Sequence, residues 1–446
     1  MNDAPSSVNP GDEAGGSEAA AAGPLRPSRR GLLGLVGAGV AGLAAGAAAG
    51  GVAASIAHSG TAGPGTGTSR TVPFFGAHQA GITTPAQDRL HFASFRMLSG
   101  ASRDDLIQLL TDWTAAAETL TLGRAIGTGV EPDNALLPPE DTGEAEGLNA
   151  AHLTLTFGLG RALFDERDGV EDPFGIRARL PKALVPLPSF AFDLLEADQS
   201  DGDLCVQACA DDPQVAVHAI RNLARIAAGR AHLVWSQLGF GRTSSTTRSQ
   251  DTPRNLFGFK DGTANVMSEE TKALDQHIWA GDEAPAWLRG GSYLVARKIQ
   301  MTIETWDRAS IGEQERIIGR TKLAGGPLSG GGEFTAADFT SPHADDASVP
   351  AIDMAAHLRL AHPDHNSGMR LLRRGYNYVD GSNGLGQLGA GLFFISFQRD
   401  PAAFVRVQRS LKSDLLNEYI RHIGSGLWAV PGGVQRGEFL AQSLFD

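Results

Sequence analysis

The sequence predicts an α+β fold in which a β-α-β-β-α-β unit occurs twice. Two observations support this expectation. Segments in which apolar and polar residues alternate, as in half-buried strands, are separated by segments with apolar residues at helical spacing. The second half of the chain also repeats the element order of the first. The composition is that of a globular protein, with 42% hydrophobic and 20% charged residues in a chain of 446.

The first half supplies one complete unit. Ser102 is expected to cap its first helix, whose buried face comprises Leu106, Leu109, Leu110 and Trp113. A second helix is expected from about Pro213, with a face formed by Ala216, Ile220, Leu223 and Ile226. Strands are expected over 88–97, 152–160, 204–210 and 232–240. This is the element order of a ferredoxin-like unit.

The second half repeats this order more loosely, beginning with a strand over Ser292–Ile303. Helices are expected over Gly312–Arg320 and from about Pro401 to Ile420, and strands over 368–378 and 391–398. A Gly-rich loop of disordered composition, Gly325–Pro350, lies between them. We therefore predict a leader and linker over 1–70 and two ferredoxin-like halves, 71–250 and 251–446, whose antiparallel sheets face each other.

The N-terminal segment has the pattern of an export signal. Arg29 and Arg30 precede a long stretch rich in Gly and Ala, and a Gly/Thr/Ser/Pro linker, Gly60–Ser69, follows. Twin arginines before such a stretch are typical of a Tat signal. A membrane-spanning helix is the alternative, but the glycine density disfavours it. We expect Tat export to an extracellular, periplasmic or cell-envelope location, with cleavage left open.

The net charge argues against a nucleic-acid partner, and the spacing of the two cysteines argues against a disulfide. A net charge of -12 disfavours a nucleic-acid partner, whose phosphates require Lys and Arg patches. Cys205 and Cys209 are four positions apart in an expected strand, which separates them by roughly 13 Å. That is too far for a disulfide, so we expect two small buried side chains.

Three segments contain residues suited to chemistry. Asp261 lies in a Gly-flanked turn, where its carboxylate could approach a flat ligand. Among the clustered histidines 357, 362 and 365, His357 is expected to be buried. Strand alternation places Arg373 on the face of Met369 and Leu371, where a guanidinium needs an anionic or polar partner, and Arg374 on the other face. Leu392 and Phe394 share a face of the next strand and could wall the same cavity.

Six segments together resemble the dye-decolorizing peroxidases, in particular their Tat-exported bacterial branch. They are FFGAHQAGITT, GFKDGTAN, EAPAWLRGGSYLVARKIQ, WDRASIGEQERIIGR, HLRLAHP and RRGYNY, and the match runs from about Thr71 to the C-terminus. The Gly-x-x-Asp-Gly element, Gly258–Gly262, is the signature of that family. The resemblance implies haem b, one per chain, held between sheet and helices.

The resemblance also implies residue roles. His357 corresponds to the proximal iron ligand, Asp261 to the distal acid and Arg373 to the distal arginine. Arg320 corresponds to the partner of a haem propionate, and Asp414 to the carboxylate that hydrogen-bonds the proximal imidazole. The other expected haem contacts are Gly262, Thr263, Ala264, His362, Pro363 and Asp364, with Leu392 and Phe394 as cavity walls.

The expected function is that of a haem peroxidase that reduces hydrogen peroxide while oxidising dyes, other aromatic donors or a metal-linked donor. Large donors would pass electrons through surface aromatic residues. The candidates are Tyr376, Tyr378, Tyr419 and Trp428, although a structural role is the favoured interpretation of each. One alternative is a deferrochelatase, a haem-handling protein that releases iron within an iron-uptake system. The other is a binding module without haem. The Tat translocase is an expected partner, and homo-oligomerisation is left open.

Overall fold

A computed structural model describes residues 70–131 and 135–446. The predictions for the leader therefore lie outside the described residues. Within these two ranges, no helix is long and apolar enough to cross a membrane.

The first half forms the predicted ferredoxin-like unit. Its strands are β1 (Arg89–Met97), β2 (Thr154–Gly160), β3 (Leu204–Ala210) and β4 (Ala231–Arg242), and its helices are α1 (Arg103–Thr121) and α2 (Pro213–Ala227). The strands pair in the order β2-β3-β1-β4, and all pairs are antiparallel. Ser102 caps α1 as predicted, because its side chain accepts a hydrogen bond from the backbone N–H of Asp105. The predicted apolar faces of both helices pack on this sheet.

The second half has the same strand order. Its helices are α3 (Thr271–His277), α4 (Ile303–Trp306), α5 (Ile311–Ile318), α6 (His357–Ala361) and α7 (Pro401–Ser410). Its strands are β5 (Ser292–Met301), β6 (Leu372–Arg373), β7 (Tyr376–Ser382), β8 (Leu388–Gln398) and β9 (Ile420–Val430). The sheet order is β9-β5-β8-β7, and the short β6 extends the β7 side of β8. Both halves are thus ferredoxin-like, as predicted.

The edges of the two sheets are joined, so that the strands form a closed ring. β4 pairs with β7 at Phe240–Asn377, and β2 pairs with β9 at Leu159–Ala429. Side chains from both halves fill the space between the facing sheets in one apolar core. Closure therefore leaves the four outer strands of the two units without exposed edges along these pairings.

The interior of the ring holds several residues that the sequence analysis had singled out. Cys205 and Cys209 are buried and unlinked, as predicted. Tyr376, Tyr378 and Trp428 are also buried in this core, and Tyr419 is buried beside Trp306. All four are therefore structural residues of the interior, which is the interpretation that the sequence favoured, and none is a surface residue. Alternation gave the correct strands, but whether the outer face of a strand meets solvent depends on the closure of the sheet.

The second half differs from the prediction in its strands and in its last helix. The strand expected over 368–378 is divided into β6 and β7, and neither includes residues 368–371. The last helix ends at Ser410 rather than near Ile420, because Asp414 starts a new turn by accepting a hydrogen bond from the N–H of Leu416 at 2.9 Å. β9, which the sequence analysis did not identify, follows directly. The loop predicted as disordered, Gly325–Pro350, contains no helix or strand. Its carbonyls at Gly325 and Glu333 nevertheless accept hydrogen bonds from Arg320, at 2.7 and 2.9 Å.

Arg373 and Arg374 point to opposite sides of the chain, as strand alternation predicts. Arg373 reaches Asp261, whereas Arg374 is fully buried. The guanidinium of Arg374 donates to the carbonyl of Thr84 at 2.5 Å and to the side chain of Gln87. Arg374 thereby fastens the segment before β1 to the second half.

We expect Arg374→Met to destabilise the protein without a specific effect on catalysis. The substitution leaves the side-chain oxygen of Gln87 buried without its donor, whereas the carbonyl of Thr84 keeps the hydrogen bond from the hydroxyl of Thr246 at 2.7 Å. We expect a loss of about 3 kcal/mol. Urea unfolding measures the change. Arg370→Met is the matched control, because Arg370 is partly exposed in its ion pair with Glu270 and its removal costs about 1 kcal/mol or less. Equal stability of the two variants would contradict the structural role of Arg374.

Candidate active site

A cavity of about 260 Å³ lies between the strands and helices of the second half. β5, β8 and β9 form one wall, α5, α6 and α7 form another, and the loop 255–265 closes one side. The apolar lining comprises Ile299, Met301, Ile318, Leu358, Leu392 and Phe394. Leu392 and Phe394 thus share the cavity face of β8, as predicted. The cavity is apolar, with a small number of charged groups directed into it, as is typical of a cofactor site.

His357 is the first residue of α6, and a buried carboxylate holds its ring. Its Nδ1 lies 2.6 Å from Oδ2 of Asp414, whose side chain is 2% exposed. Burial lowers the pKa of His357, but the charge of Asp414 and its hydrogen bond outweigh burial, so the pKa lies above its usual value. Because Nδ1 is engaged, Nε2 is the nitrogen that remains for a ligand in the cavity.

Two further histidines line the cavity, and each is held differently. Nδ1 of His362 accepts a hydrogen bond from the N–H of Asp364 at 3.2 Å. His422, on β9, accepts one from Nε of the buried Arg297 at 3.3 Å. Burial, together with the charge of Arg297, lowers the pKa of His422 to about 3, so its ring is neutral. Of the three, only His357 has a buried carboxylate on Nδ1, which is the usual support for a metal-binding imidazole.

A second carboxylate meets an arginine at the same cavity. Oδ1 of Asp261 accepts a hydrogen bond from Nη1 of Arg373 at 2.8 Å. The side chains of both residues are partly buried, with exposed fractions of 16% and 28%. The partner that the sequence analysis required for the guanidinium of Arg373 is therefore Asp261.

Two asparagines at the ends of the loop 255–265 position this pair. Nδ2 of Asn255 donates to Oδ2 of Asp261 at 3.2 Å. Asn265 accepts from the N–H of Arg373 at 2.7 Å and donates to the carbonyl of Arg373 at 2.8 Å. Neither asparagine was predicted from the sequence, although Asn265 is the last residue of the segment GFKDGTAN and Asn255 lies three positions before it.

Gly262 allows the loop to turn beside Asp261. Its φ of 93° lies in the left-handed region, and a Cβ there would lie 2.9 Å from Cα of Ser244. Any side chain would therefore strain the turn and displace the neighbouring backbone. The glycine in the Asp-Gly dipeptide is required by both conformation and space.

Arg320 brings an incompletely neutralised positive charge to the cavity. Burial lowers the pKa of its guanidinium; the charge of Glu333 opposes this effect, and Arg373 adds to it. Glu333 itself pairs with Lys260 and accepts from Thr263 Oγ1 at 3.2 Å. Arg320 is a partly buried cation, and its nearest carboxylate, that of Glu333, is already paired with Lys260. This arrangement favours an anionic group beside Arg320, such as the haem propionate expected from the family resemblance.

The predicted site residues come together with one exception. Asp364 is not among the residues that line the cavity, because its carboxylate is 74% exposed and lies 3.4 Å from Nδ1 of His362. The others line one cavity: Asp261, Gly262, Thr263, Ala264, Arg320, His357, His362, Pro363, Arg373, Leu392, Phe394 and Asp414. The residues that the sequence analysis missed are Asn255, Arg297 and His422, which also line it, and Asn265 and Glu333, which support it.

These residues fit haem. A single imidazole backed by a carboxylate supplies one ligand, and haem iron brings four nitrogen ligands of its own. Apolar walls suit the porphyrin, and the cation of Arg320 suits a propionate. The fold and the site together define a haem protein whose open cavity also contains an acid–arginine pair.

The chain belongs to the Dyp-type peroxidase family. Residues 79–241 match the family profile described as "Dyp-type peroxidase, N-terminal", and residues 252–435 match "Dyp-type peroxidase, C-terminal". A deferrochelatase from Escherichia coli K12 is 36% identical over 430 residues, which cover 94% of this chain and 97% of that protein.

Solved structures of peroxidases are also similar. A DyP-type peroxidase from Streptomyces coelicolor is 39% identical, with a TM-score of 0.76, over 84% of this chain and 97% of that one. One from Cellulomonas bogoriensis is 37% identical, with a TM-score of 0.74, over 86% of this chain and 100% of that one. Ferric DtpA from Streptomyces lividans is 39% identical, with a TM-score of 0.76, over 84% of this chain and 96% of that one. The predicted family, fold and haem cofactor are confirmed, and the protein is a haem-dependent peroxidase that reduces hydrogen peroxide at the expense of a reducing substrate.

We expect His357→Ala to lose haem and His362→Ala to retain it. Only His357 has a buried carboxylate partner, so we expect its imidazole to be the iron ligand. Its removal also leaves Asp414 without the ring that it orients. The Soret absorption of the purified variants, at equal protein concentration, measures haem content. If only His362→Ala lost haem, the assignment of His357 as the iron ligand would be wrong.

Proposed function

We propose that Asp261 and Arg373 activate hydrogen peroxide in this cavity, and that His357, supported by Asp414, would bind the haem iron. The observation that carries the proposal is the meeting of two charge-assisted pairs at one cavity, His357–Asp414 and Asp261–Arg373. The four residues come from four separate elements, and the fold brings them to a common space.

Haem supplies the two electrons that cleave the O–O bond of peroxide. Asp261 would take a proton from one oxygen of hydrogen peroxide and pass it to the other oxygen, which leaves as water. Arg373 stabilises the negative charge that develops on the leaving oxygen. Its hydrogen bond to Oδ1 and that of Asn255 to Oδ2 fix both carboxylate oxygens during the transfer.

Asp414 acts through the imidazole of His357. The carboxylate accepts the Nδ1–H hydrogen bond, which fixes the tautomer and orients the ring. It also makes Nε2 a stronger electron donor. The reducing substrate then restores the resting enzyme in two one-electron steps, and dyes or other aromatic compounds are suitable donors.

We expect Arg373→Leu and Asp261→Asn both to slow the reaction with peroxide. Loss of the fixed charge costs roughly 10²-fold or more, and loss of the proton acceptor costs roughly 10²–10⁴-fold. Water can replace a base in part but cannot replace a buried guanidinium, so Arg373→Leu is slowed at least as much as Asp261→Asn. Stopped-flow absorbance of the Soret band measures the rate.

Arg370→Leu is the control for this experiment, because Arg370 lines the same cavity but pairs with Glu270. Its rate is expected to stay within a few-fold of wild type. A slow Arg370→Leu beside an unaffected Arg373→Leu would refute the assignment of the distal arginine.

We also propose that the protein is exported in folded form by the Tat pathway. Two features of the sequence support this proposal, the Arg29–Arg30 pair and the Gly/Ala-rich stretch behind it. A protein that acquires haem before export needs a route for folded chains. The final location is then extracellular, periplasmic or in the cell envelope.

The double substitution Arg29→Lys with Arg30→Lys is expected to leave folded, haem-loaded protein in the cytoplasm. Fractionation of cells, with Soret absorption as the marker of folded protein, measures the distribution. Arg26→Lys, outside the pair, is the matched control and exports normally. Normal export of the double-lysine variant would refute a twin-arginine signal.

A second candidate function is release of iron from haem, because relatives that are 36% identical over most of the chain are named deferrochelatases. The same cavity would hold the haem. The two functions are separated by incubating the haem-loaded protein with a ferrous chelator, and in parallel with peroxide and a dye. Chelated iron with recovery of free porphyrin supports the second function, whereas peroxide-dependent dye oxidation without iron loss supports the first.

A further inference from the structure

A second concavity, a groove of about 940 Å³, lies on the other side of helix α7 from the haem cavity. The face of α7 that lines the haem cavity carries Phe404, Val407 and Gln408, and Leu411, directly after the helix, lines the same cavity. Val405, Arg406, Arg409 and Ser410 form the face that lines the groove. An occupant of the groove is thus separated from the haem cavity by one helix, a thickness of about 10 Å.

The groove carries uncompensated positive charge. Lys182, Arg406 and Arg409 line it and are exposed. Within the part of the chain that the structure describes, none of these three side chains forms a hydrogen bond or an ion pair. One carboxylate also lines the groove, that of Asp400, and it caps α7 by accepting from the N–H of Ala402 at 2.8 Å. In a chain of net charge -12, a cationic groove attracts anions.

The opposite wall of the groove is apolar. The segment Val185–Pro188 supplies it, and Val185 is 52% exposed. Two prolines in this segment keep its backbone stiff and extended. An apolar wall in the same groove as three cations suits an aromatic ring that carries an anionic substituent.

The groove is also connected to the haem cavity by hydrogen bonds. Asn366 lines the groove and is fully buried. Its Nδ2 donates to the carbonyls of Leu360 and His362, at 2.8 and 2.9 Å, in the segment that begins with His357. Its Oδ1 is buried and has no partner among the described residues.

We propose that this groove binds the reducing substrate, an aromatic compound with an anionic substituent and an oxidisable hydroxyl or amino group. The proposal rests on the peroxidase function proposed above. Each bound donor gives up one electron and one proton, and two donors in turn complete the reduction of one hydrogen peroxide to two waters. The electron crosses α7, so a large donor does not need to enter the cavity that holds the haem.

The test compares binding and turnover of a sulfonated anthraquinone dye. Equilibrium dialysis against the ferric, haem-loaded protein without peroxide gives the Kd for the dye. Steady-state assays with excess peroxide give KM for the dye and for neutral guaiacol. The variants are Arg406→Gln/Arg409→Gln, on the helix wall, and Lys182→Gln, on a different segment of the groove. Arg124→Gln, an exposed arginine that does not line the groove, is the matched control.

The double variant is expected to raise both Kd and KM for the dye about tenfold, the loss expected for two partly exposed charge contacts. Lys182→Gln raises both about threefold, and Arg124→Gln changes neither. KM for guaiacol and the rate of reaction with peroxide stay at wild-type values. Dye binding to the wild-type protein weakens as salt is added.

Two outcomes overturn the proposal. The first is a wild-type Kd and KM for the dye in the double variant, which would place the donor elsewhere. The second is an equal loss in the reaction with peroxide, which would mean that the arginines act on the haem site through α7. Failure of the peroxidase function itself looks different, because the wild-type protein would then bind dye in dialysis but show no peroxide-dependent oxidation.

Discussion

The side-chain amide of Asn265 is the interaction on which the geometry of the site depends. It satisfies both main-chain groups of Arg373, accepting from the N–H at 2.7 Å and donating to the carbonyl at 2.8 Å. The same asparagine ends the loop that carries Asp261. Because one side chain holds the backbone of Arg373 against the loop of Asp261, the two charged groups keep their separation even though 111 residues lie between them in sequence. Preorganisation of this kind is what makes a charge in an active site effective.

The two charge-assisted pairs act in an environment of low polarity, which strengthens both. Asp414 is almost completely buried behind His357, and Asp261 is mostly shielded beside Arg373. In each pair the carboxylate is also held by a second group, the N–H of Leu416 for Asp414 and the amide of Asn255 for Asp261. Each carboxylate therefore has a fixed orientation, and the remaining cation of Arg320 gives the cavity a preference for an anionic occupant.

The sequence predicted the elements better than their connections. Periodicity identified β1 to β5, α1 and α2, because these have long apolar faces. It did not identify β9, where glycines at positions 424 and 426 interrupt the alternation. Alternation separated Arg373 from Arg374 correctly, and the Asp-Gly turn marked Asp261. It could not identify Asn265 or Glu333, because their importance comes from partners distant in sequence. Nor could it show that the sheet closes, and closure is what buries Tyr376, Tyr378 and Trp428.

Closure of the sheet also determines from which side electrons can arrive. The strands enclose a continuous apolar core, so the aromatic residues of β7 and β9 face that core and not a donor in solvent. The haem cavity lies outside this core, and part of its wall is helix α7, whose second face lines the cationic groove. Helix α7 has ten residues and one face in each concavity. Its thickness of about 10 Å keeps a donor out of the haem cavity but leaves the donor close enough for electron transfer. The same closure that removes the aromatic route therefore leaves the helical side of the molecule as the place where a large anionic donor can approach the haem.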